Sequence, residues 1–281
     1  MRAFKPDVVH QLWERIKHLL PEHEDGHPLG CHRLRVPDEL CFWGILIRLV
    51  NGCSWEDAEA QLQWRVSDTT LRARRNEWLR HGLFDQLFLD VLRDYDNAGL
   101  LDLEHTSADG SLQKAPCGGP GSGPNPCDRG KLGWKWLIVV DATGIPVGWA
   151  IEGANRQDSV MLAVSIDNVP AELRERIVWL HLDRGFDNRN VRRELGERGL
   201  SDECIARKRP RGNPDAVLPA PKFKGKRWVV ERTNSWLSNY GQMRRNTDRS
   251  TEHRNAQLAL ASSILIIAKL IDHQRRLAPI R

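Results

Sequence analysis

The segment Ile177–Asp187 (IVWLHLDRGFD) decides how the rest of the chain is interpreted. Val178, Leu180 and Leu182 alternate along it, and the apolar run ends abruptly at Asp183, with a glycine two residues further on. Alternating apolar residues that stop at a turn signal predict a short core strand. This strand would present the carboxylate of Asp183 at its C-terminal end, which makes Asp183 the first candidate for a functional side chain.

Two further acids lie in segments that also have a regular apolar pattern. Leu101–Ser111 (LDLEHTSADGS) is strand-like and ends in an Asp-Gly pair at Asp109, and Arg227–Leu237 (RWVVERTNSWL) has helical periodicity with Glu231 on it. Two aspartates on strands and a glutamate on a helix are a set that can converge on divalent metal ions. Each acid also has a structural alternative, namely a turn, a helix cap or an i,i+4 ion pair with an arginine.

Composition indicates a globular protein with unevenly distributed charge. The chain has 281 residues, of which 40% are apolar and 28% charged, and a net charge of +5, so it can bury a substantial core. Residues 201–281 contain 17 Lys and Arg against 7 Asp and Glu, about +10, so residues 1–200 sum to about −5. This split suggests a polyanionic partner for the C-terminal part, with an ordinary solvated basic face as the alternative.

Cysteine spacing and hydropathy disfavour several classes of protein. The six cysteines form no CxxC pair and are too sparse for a secreted scaffold, so we expect neither a zinc site nor disulfides, and a reducing compartment. The N-terminus has no apolar signal-peptide core. The apolar tract 258–271 is short for a membrane span and contains two serines and Lys269, which predicts a core helix and no membrane partner.

The first 98 residues are predicted to be helical. An apolar stripe runs through 6–20, Asp38 is expected to cap a second helix that ends near Asn51, and Ser54 opens a short helix with a capping-box pattern. Ser67 or the aspartate after it caps a helix over 69–81, and 83–97 forms a connecting helix.

The two helices on either side of Val66 have the shape of a helix-turn-helix. The second of them carries Arg72, Arg74, Arg75 and Arg80. Arginines on an exposed recognition helix contact phosphates and base edges in the major groove, and we select Arg72 and Arg75 as DNA ligands. The alternative is a helical hairpin with solvated arginines.

From residue 99 onward the pattern changes to strands and helices. Gly and Pro fill the loop 113–134, which we expect to be irregular and either functional or a mobile linker. Basic residues in and beside this loop are candidate phosphate ligands, namely Arg129, Lys131 and Lys135. Apolar runs at 136–140 and 145–151 flank a turn and predict a β-hairpin.

The remaining elements complete a mixed sheet. A helix from Asp158 to about 167 precedes the strand of Asp183, and a polar helix at 188–199, a short strand at 204–206 and a basic loop at 207–225 lead to the helix of Glu231. We therefore predict an α/β fold with a mixed sheet flanked by helices, in the order of the RNase H-like fold. The expected domains are a DNA-binding helical region, 1–98, and a catalytic domain, 99–281.

The chain resembles a known protein family. It is similar over nearly its whole length to the DDE transposases of insertion sequences, specifically the IS5 group within the broad IS4/IS5 class. The resemblance rests on five motifs that occur in one order along the chain. These are Ser107–Ser111, Gly123–Lys131, Gly153–Ser159, Leu182–Asp187 and Arg227–Arg232.

The resemblance implies a reaction, a cofactor and partners. Asp109, Asp183 and Glu231 would bind two Mg²⁺ ions, for which Mn²⁺ substitutes, and would cleave DNA at insertion-sequence ends and transfer the strand into target DNA. Two such ions, roughly 3.5–4 Å apart, activate the attacking oxygen and stabilise the leaving oxygen. The implied partners are double-stranded DNA (terminal inverted repeats and target) and a second copy of the chain. The implied location is the bacterial cytoplasm, at the nucleoid.

The chain departs from the family pattern around Glu231. The wider class has a tyrosine seven residues before the glutamate, an arginine four before and a lysine seven after, whereas this chain keeps Arg227 but has Lys224 and Ser238 at the outer positions. Arg227 itself is a candidate DNA ligand. Further candidates to hold flanking DNA are Lys222, Lys224, Arg232, Arg244 and Arg245.

Two other functions stay open. A catalytically silent, transposase-derived DNA-binding protein would show no metal-dependent nicking. An RNase H-like host nuclease would act without preference for inverted-repeat ends. Trp134, Trp136 and Trp236 are either core residues or platforms that stack on unpaired bases.

Overall fold

A computed structural model describes residues 5–23, 34–209, 212–213 and 215–277. The described chain divides into two compact units. Unit 1 comprises the described residues of 1–95, 239–246 and 252–281, and unit 2 comprises residues 96–238 and 247–251. This division differs from the domain boundary drawn from the sequence, because the last helix belongs to the N-terminal helical unit.

The elements follow one another in this order along the chain. The helices before the sheet are α1 (Pro6–Ile16), α2 (Asp38–Asn51), α3 (Trp55–Gln61), α4 (Asp68–Arg80) and α5 (Leu83–Asn97). The elements of unit 2 are β1 (His105–Lys114), β2 (Gly123–Pro124), β3 (Leu132–Val140), β4 (Pro146–Gly153), α6 (Asp158–Asp167), α7 (Ala171–Arg174), β5 (Trp179–His181), a 3-10 turn (Arg184–Phe186), α8 (Arg189–Glu197) and α9 (Trp228–Leu237). The last helices are α10 (Gly241–Arg244) and α11 (Thr251–Leu277).

Local capping explains where the helices of unit 1 begin. The capping box predicted at Ser54 is present, with the Asp57 N–H donating to Ser54 Oγ (3.0 Å) and the Ser54 N–H donating to the Asp57 carboxylate (3.2 Å). Ser67 caps α4 by accepting from the N–H of the third residue on. The expectation that Asp38 caps α2 is wrong, because Pro37 holds the cap position and Asp38 is the first helical residue.

Helix α11 is a core helix of unit 1. It is long and apolar enough to cross a membrane, yet 83% of its most apolar 18-residue window is buried inside the protein. Its residues Ala256 and Leu260 line a cavity together with Ile45, Leu49 and Phe84 from the N-terminal helices. An apolar surface on nearly all sides of the helix is what a buried helix requires. This packing is the reason that α11 joins unit 1.

Unit 2 is built on a five-stranded mixed sheet. β3 pairs antiparallel with β1, β2 and β4, and β5 joins the other edge of β1 in parallel. Helices α6 and α9 pack against β3, which is buried from Gly133 to Val140 without alternation. A strand with no exposed face is covered on both sides. The predicted mixed α/β sheet flanked by helices, with an all-α region before it, is confirmed.

Several expectations about the strands need correction. β1 does not end at Asp109 but continues to Lys114, and the Gly/Pro-rich segment is strand at both ends and pairs through β2 in its middle. The expected strand at 204–206 is a single bridge between Leu182 and Ile205. Val178 is exposed, so the core face of the segment before Asp183 consists of Leu180 and Leu182.

A buried carboxylate shapes the β3–β4 hairpin. Asp141 is completely buried and accepts hydrogen bonds from the N–H groups of Thr143 (2.9 Å), Ile145 (2.7 Å) and Asp102 (3.1 Å). A carboxylate with this many N–H partners is satisfied despite its burial. The hairpin turn is therefore fixed from inside, at the place where α9 contacts it.

Candidate active site

The parallel pairing of β1 and β5 determines where two of the acids lie. Ser107 stands opposite His181 in the register. Asp109 is two residues beyond Ser107, and Asp183 is two residues beyond His181. Asp109 therefore lies on β1, and Asp183 lies two residues past the end of the neighbouring parallel strand β5, at the corresponding distance from the last residue pair.

Asp183 has a local structural role as well. Its Oδ1 accepts from the Gly185 N–H (2.7 Å) and so caps the 3-10 turn that follows β5. The longer helix α8 is capped instead by Asn188, which accepts from the Val191 N–H (3.0 Å). The capping role foreseen for Asp183 thus concerns only the short turn.

Helix α9 is fixed to the sheet at three places, and these contacts set the position of Glu231. The Trp136 indole N–H donates to Asn234 Oδ1 (2.7 Å), and Thr233 Oγ1 donates to the Gly144 carbonyl (2.6 Å). At the end of the helix, the Gln113 amide donates to Ser238 Oγ (2.9 Å). Ser238, one of the positions that departs from the family pattern, therefore joins α9 to β1.

Arg227 connects Glu231 to Asp109. One guanidinium nitrogen donates to Glu231 Oε1 one turn further along α9, and the other lies 3.4 Å from Asp109 Oδ2. The predicted i,i+4 pair is present, and its arginine also reaches across to the strand. Asp109 is the least exposed of the three side chains and Glu231 the most exposed.

A fourth carboxylate, not selected from the sequence as a site residue, lies beside Asp109. Asp158 accepts from Lys135 Nζ (2.6 Å), which also donates to the Arg156 carbonyl (2.7 Å). A Cβ on Gly110 would lie only 2.6–2.8 Å from the atoms of the Asp158 carboxylate. The glycine next to Asp109 thus leaves the space that this carboxylate fills.

These neighbours determine the ionisation of Asp109. Burial raises the pKa of Asp109 to about 6; the Arg227 guanidinium and the Gly110 N–H oppose this rise, and the charges of Asp183 and Asp158 add to it. A buried carboxylate among other carboxylates is stabilised by any cation that enters the site. Binding of a cation would therefore favour the ionised form of Asp109.

The donor set fits hard divalent ions in its chemistry. Asp109, Asp183 and Glu231 offer only oxygens, which Mg²⁺ and Mn²⁺ prefer. Within the described ranges, however, no three acidic, histidine or cysteine side chains are placed to hold one ion together. Arg227 instead engages one oxygen of Asp109 and one of Glu231.

A cluster of rings supports the strands beneath the acids. His105 Nδ1 and His181 Nε2 lie 3.1 Å apart, and Phe223 packs on the rings of His105 and Trp179 with centroid distances of 4.7 and 5.3 Å. Burial lowers the pKa of His181 to about 4, and the charges of His105 and Lys226 add to this effect. His181 is thus a neutral packing residue at pH 7, and Phe223 attaches the loop that precedes α9.

Comparison with known proteins identifies the family. Residues 101–267 match the family described as a transposase DDE domain, and residues 8–88 match the family described as a transposase of the IS4/5 family. The chain belongs to the DDE transposases of the IS4/5 class. Over 156 residues the transposase is 34% identical to a protein named as the transposase for insertion sequence element IS402 of Burkholderia cepacia, which covers 53% of this chain and 69% of the relative.

The matching solved structures resemble the chain only weakly. A Mos1 transposase paired-end complex with the left transposon end matches 92% of the chain and 86% of its own, at 13% identity and a TM-score of 0.27. A pre-cleavage Mos1 transpososome matches 95% of the chain and 84% of its own, at 13% identity and a TM-score of 0.29. Because these TM-scores are low, the fold class is assigned from the strand order and strand pairing of the sheet.

The arginines predicted on α4 of the transposase are not an exposed row. Arg75 is only 8% exposed, with its guanidinium 5.0 Å from the centre of the Trp55 ring, and Arg74 is buried against Asp38. Arg72 is exposed but pairs with acidic side chains on α3 and α4. The expectation is wrong for Arg74 and Arg75, because both are buried, the first in an ion pair with Asp38 and the second over the Trp55 ring.

The remaining predicted DNA ligands fall into three groups. Lys135 is only 6% exposed and is held by Asp158, so the prediction that it binds phosphate is corrected. Lys222 pairs with Glu203 (3.0 Å), and the Arg232 guanidinium lies between two tryptophan rings of α9. The other predicted ligands are exposed, namely Arg129, Lys131, Lys224, Arg244 and Arg245.

The tryptophans also separate into core and surface. Trp134 and Trp136 are completely buried, so the alternative in which they stack on bases is wrong. Trp236 is partly buried beside Arg232. Trp228, at the start of α9 and three residues before Glu231, is 55% exposed. It is the aromatic residue of α9 with the most accessible ring.

Proposed function

We propose that this transposase cleaves DNA at the ends of an insertion sequence and joins the released 3′-OH to target DNA, with Asp109, Asp183 and Glu231 as ligands of divalent ions. The observation that carries the proposal is the placement of Asp109 on β1 and of Asp183 just past the end of the parallel strand β5, with a glutamate linked to Asp109 through Arg227. Bound divalent ions would activate the attacking oxygen and stabilise the leaving oxygen.

The acidic residues of the site would have different roles in this reaction. Asp109 and Asp183 provide the rigid part of the ion site, because both belong to or directly follow sheet strands. Glu231 provides the adjustable part, because its side chain is exposed on a helix. Asp158 keeps Lys135 neutralised and adds negative charge beside Asp109. Water would first be the nucleophile at an element end, and the 3′-OH it releases would be the second nucleophile.

DNA contact is proposed for the exposed basic residues. Arg129 and Lys131 lie on the loop between β2 and β3, and Lys224 precedes α9. Their contacts would be to phosphates, so binding should weaken steeply as salt increases. We further propose a homodimer on DNA, since two element ends must be joined together, and action at the bacterial nucleoid.

The decisive experiment compares Asp183→Asn with Asp102→Asn, an exposed acid of the same unit. Cleavage and strand transfer are measured on duplexes that carry the DNA flanking the gene of the element, with Mg²⁺ present, and end binding is measured by gel shift. Asp183→Asn should abolish both reactions while it spares binding, and Asp102→Asn should leave them unchanged. Retained strand transfer in Asp183→Asn would refute the proposal.

The same assays separate the other two functions. Metal-dependent nicking by the wild type excludes a catalytically silent DNA-binding protein. Equal cleavage of RNA/DNA hybrids and of element ends would favour the host nuclease instead. Light scattering of the DNA complex tests the dimer, which a monomer in a competent end complex would contradict.

A further inference from the structure

Arg227 stands between two of the proposed ion ligands. Its Nη1 lies 3.4 Å from Asp109 Oδ2, and its Nη2 donates to Glu231 Oε1. Guanidinium is planar, permanently charged and shaped to pair with carboxylates and phosphates. In the free protein the arginine therefore neutralises the charge that a divalent ion would otherwise neutralise.

Arg227 and a divalent ion would compete for the same carboxylates. Oδ2 of Asp109 and Oε1 of Glu231 already contact the guanidinium, and carboxylate oxygens are the ligands that such an ion would use. A doubly charged ion at this place would also repel the arginine over a short distance. Thr233 and Asn234 fix the backbone of α9 to the hairpin and the sheet. We therefore expect the side chains of Arg227 and Glu231, rather than this backbone, to rearrange.

The space beside Asp109 gives the arginine few other carboxylates to contact. Asp158 is already engaged by Lys135 at 2.6 Å, and one oxygen of Asp183 accepts from the Gly185 N–H. A phosphodiester entering the site brings an acceptor of the shape that a guanidinium binds with two hydrogen bonds. Arrival of DNA together with ions would thus give Arg227 a new partner at the moment it leaves the old ones.

We propose that Arg227 is a positioning residue that holds the ion site closed in the free protein and moves to a DNA phosphate when divalent ions bind. The inference rests on the proposed function, since it uses the same three acids. It assigns the arginine two successive partners, carboxylates before DNA binds and phosphate afterwards. The transposase would therefore bind ions weakly until DNA is present.

Ion binding to the free protein tests this directly. Mn²⁺ is titrated into wild type, Arg227→Gln and Arg232→Gln without DNA, and free Mn²⁺ is followed by electron paramagnetic resonance. Arg227→Gln should bind Mn²⁺ roughly three- to tenfold more tightly than wild type, the scale of losing two partly exposed ion pairs. Arg232→Gln removes the same charge from α9, but its guanidinium lies on Trp228 and Trp236. It should therefore change the affinity less than about twofold.

Adding a duplex oligonucleotide gives the second half of the test. The Mn²⁺ affinity of wild type should rise towards that of Arg227→Gln, and Arg227→Gln should bind the duplex more weakly than wild type. Arg227→Lys, which keeps the charge but not the fork, should fall between the two in Mn²⁺ affinity. Circular dichroism checks that each variant is folded, and a poorly folded Arg227→Gln leaves Arg227→Lys to decide the question.

The outcomes separate the two proposals. Unchanged or weaker Mn²⁺ binding by folded Arg227→Gln would overturn the role of Arg227, and so would an equal gain in Arg232→Gln. If Asp183→Asn abolishes Mn²⁺ binding in the same series, the ion site itself stands whatever Arg227 does. If Asp183→Asn binds Mn²⁺ as wild type does, the ion site and the proposed function fail together.

Discussion

Replacement of Asp109 by Asn should stabilise the ion-free transposase at neutral pH. Burial raises the pKa of Asp109 from its usual 3.8 to about 6, so the folded protein ionises a carboxyl group that it favours in the protonated form. Because one pKa unit corresponds to about 1.36 kcal/mol, ionised Asp109 lowers the free energy of unfolding by about 3 kcal/mol. Asn has nearly the same shape and carries no charge, so it avoids this loss.

The pH dependence gives the prediction its sign. For a carboxyl group whose pKa is raised by folding, the destabilisation is absent below pH 3.8, grows as pH rises, and is complete above pH 6. With these two pKa values it is about 1.6 kcal/mol at pH 5 and about 3 kcal/mol at pH 7.5. Relative to Asp109→Asn, the wild type should therefore lose about 1.4 kcal/mol of stability between these pH values.

The assay is urea unfolding of both proteins with EDTA at pH 5 and pH 7.5, with hydrogen exchange of β3 reporting on unit 2. Asp187→Asn is a control of opposite sign. Burial alone would raise the pKa of Asp187, but hydrogen bonds from Arg192 and the Lys208 N–H hold it below its usual range. Asp187→Asn should therefore destabilise the protein by nearly the same amount at both pH values, because stabilisation by a carboxyl group with a lowered pKa is already complete above its usual pKa of 3.8. A stability gap between wild type and Asp109→Asn that is the same at both pH values would refute the reasoning.

Two more predictions concern the Asp158 carboxylate, which lies beside Asp109. Gly110→Ala should lower the free energy of unfolding by about 1–3 kcal/mol, because the new methyl group overlaps the Asp158 carboxylate, and denaturation should show a smaller loss in an Asp158→Ala background. A full loss in both backgrounds would contradict the stated cause. Lys135→Met should cost about 1–3 kcal/mol, because it leaves Asp158 without its cation and the Arg156 carbonyl without its donor. An unchanged melting temperature would show that this pair is energetically neutral.

Local signals in the sequence predicted the secondary structure well. The capping box at Ser54, the glycine after α2 and the turn at Asp141–Gly144 each depend on interactions within a few residues. Such interactions are written in consecutive side chains, so they can be inferred without knowledge of the tertiary structure. The positions of Asp183 at the end of a strand and of Glu231 on a helix followed in the same way.

The contacts that charged side chains make between distant segments could not be predicted. Arg75 belongs to a polar helix, and only the fold shows that Trp55 covers its guanidinium. The contact between Arg227 and Asp109 joins residues 118 positions apart. Lys135 did leave a signal, because it is the single charged residue in the run GWKWLIVV. A charge in a strand buried on both faces requires a partner, and this partner is Asp158.

The distribution of unit 1 along the chain has a consequence for synthesis. Its N-terminal helices end at Asn97, but the helix that fills their core begins only at Thr251, about 155 residues later. At translation rates of 5–20 residues per second, this interval lasts roughly 8–30 s. During it unit 2 emerges from the ribosome, and it can fold before α11 is made. A chain that terminates early would leave the N-terminal helices with an exposed apolar surface. Unit 1 can therefore close its core only after α11 has been synthesised.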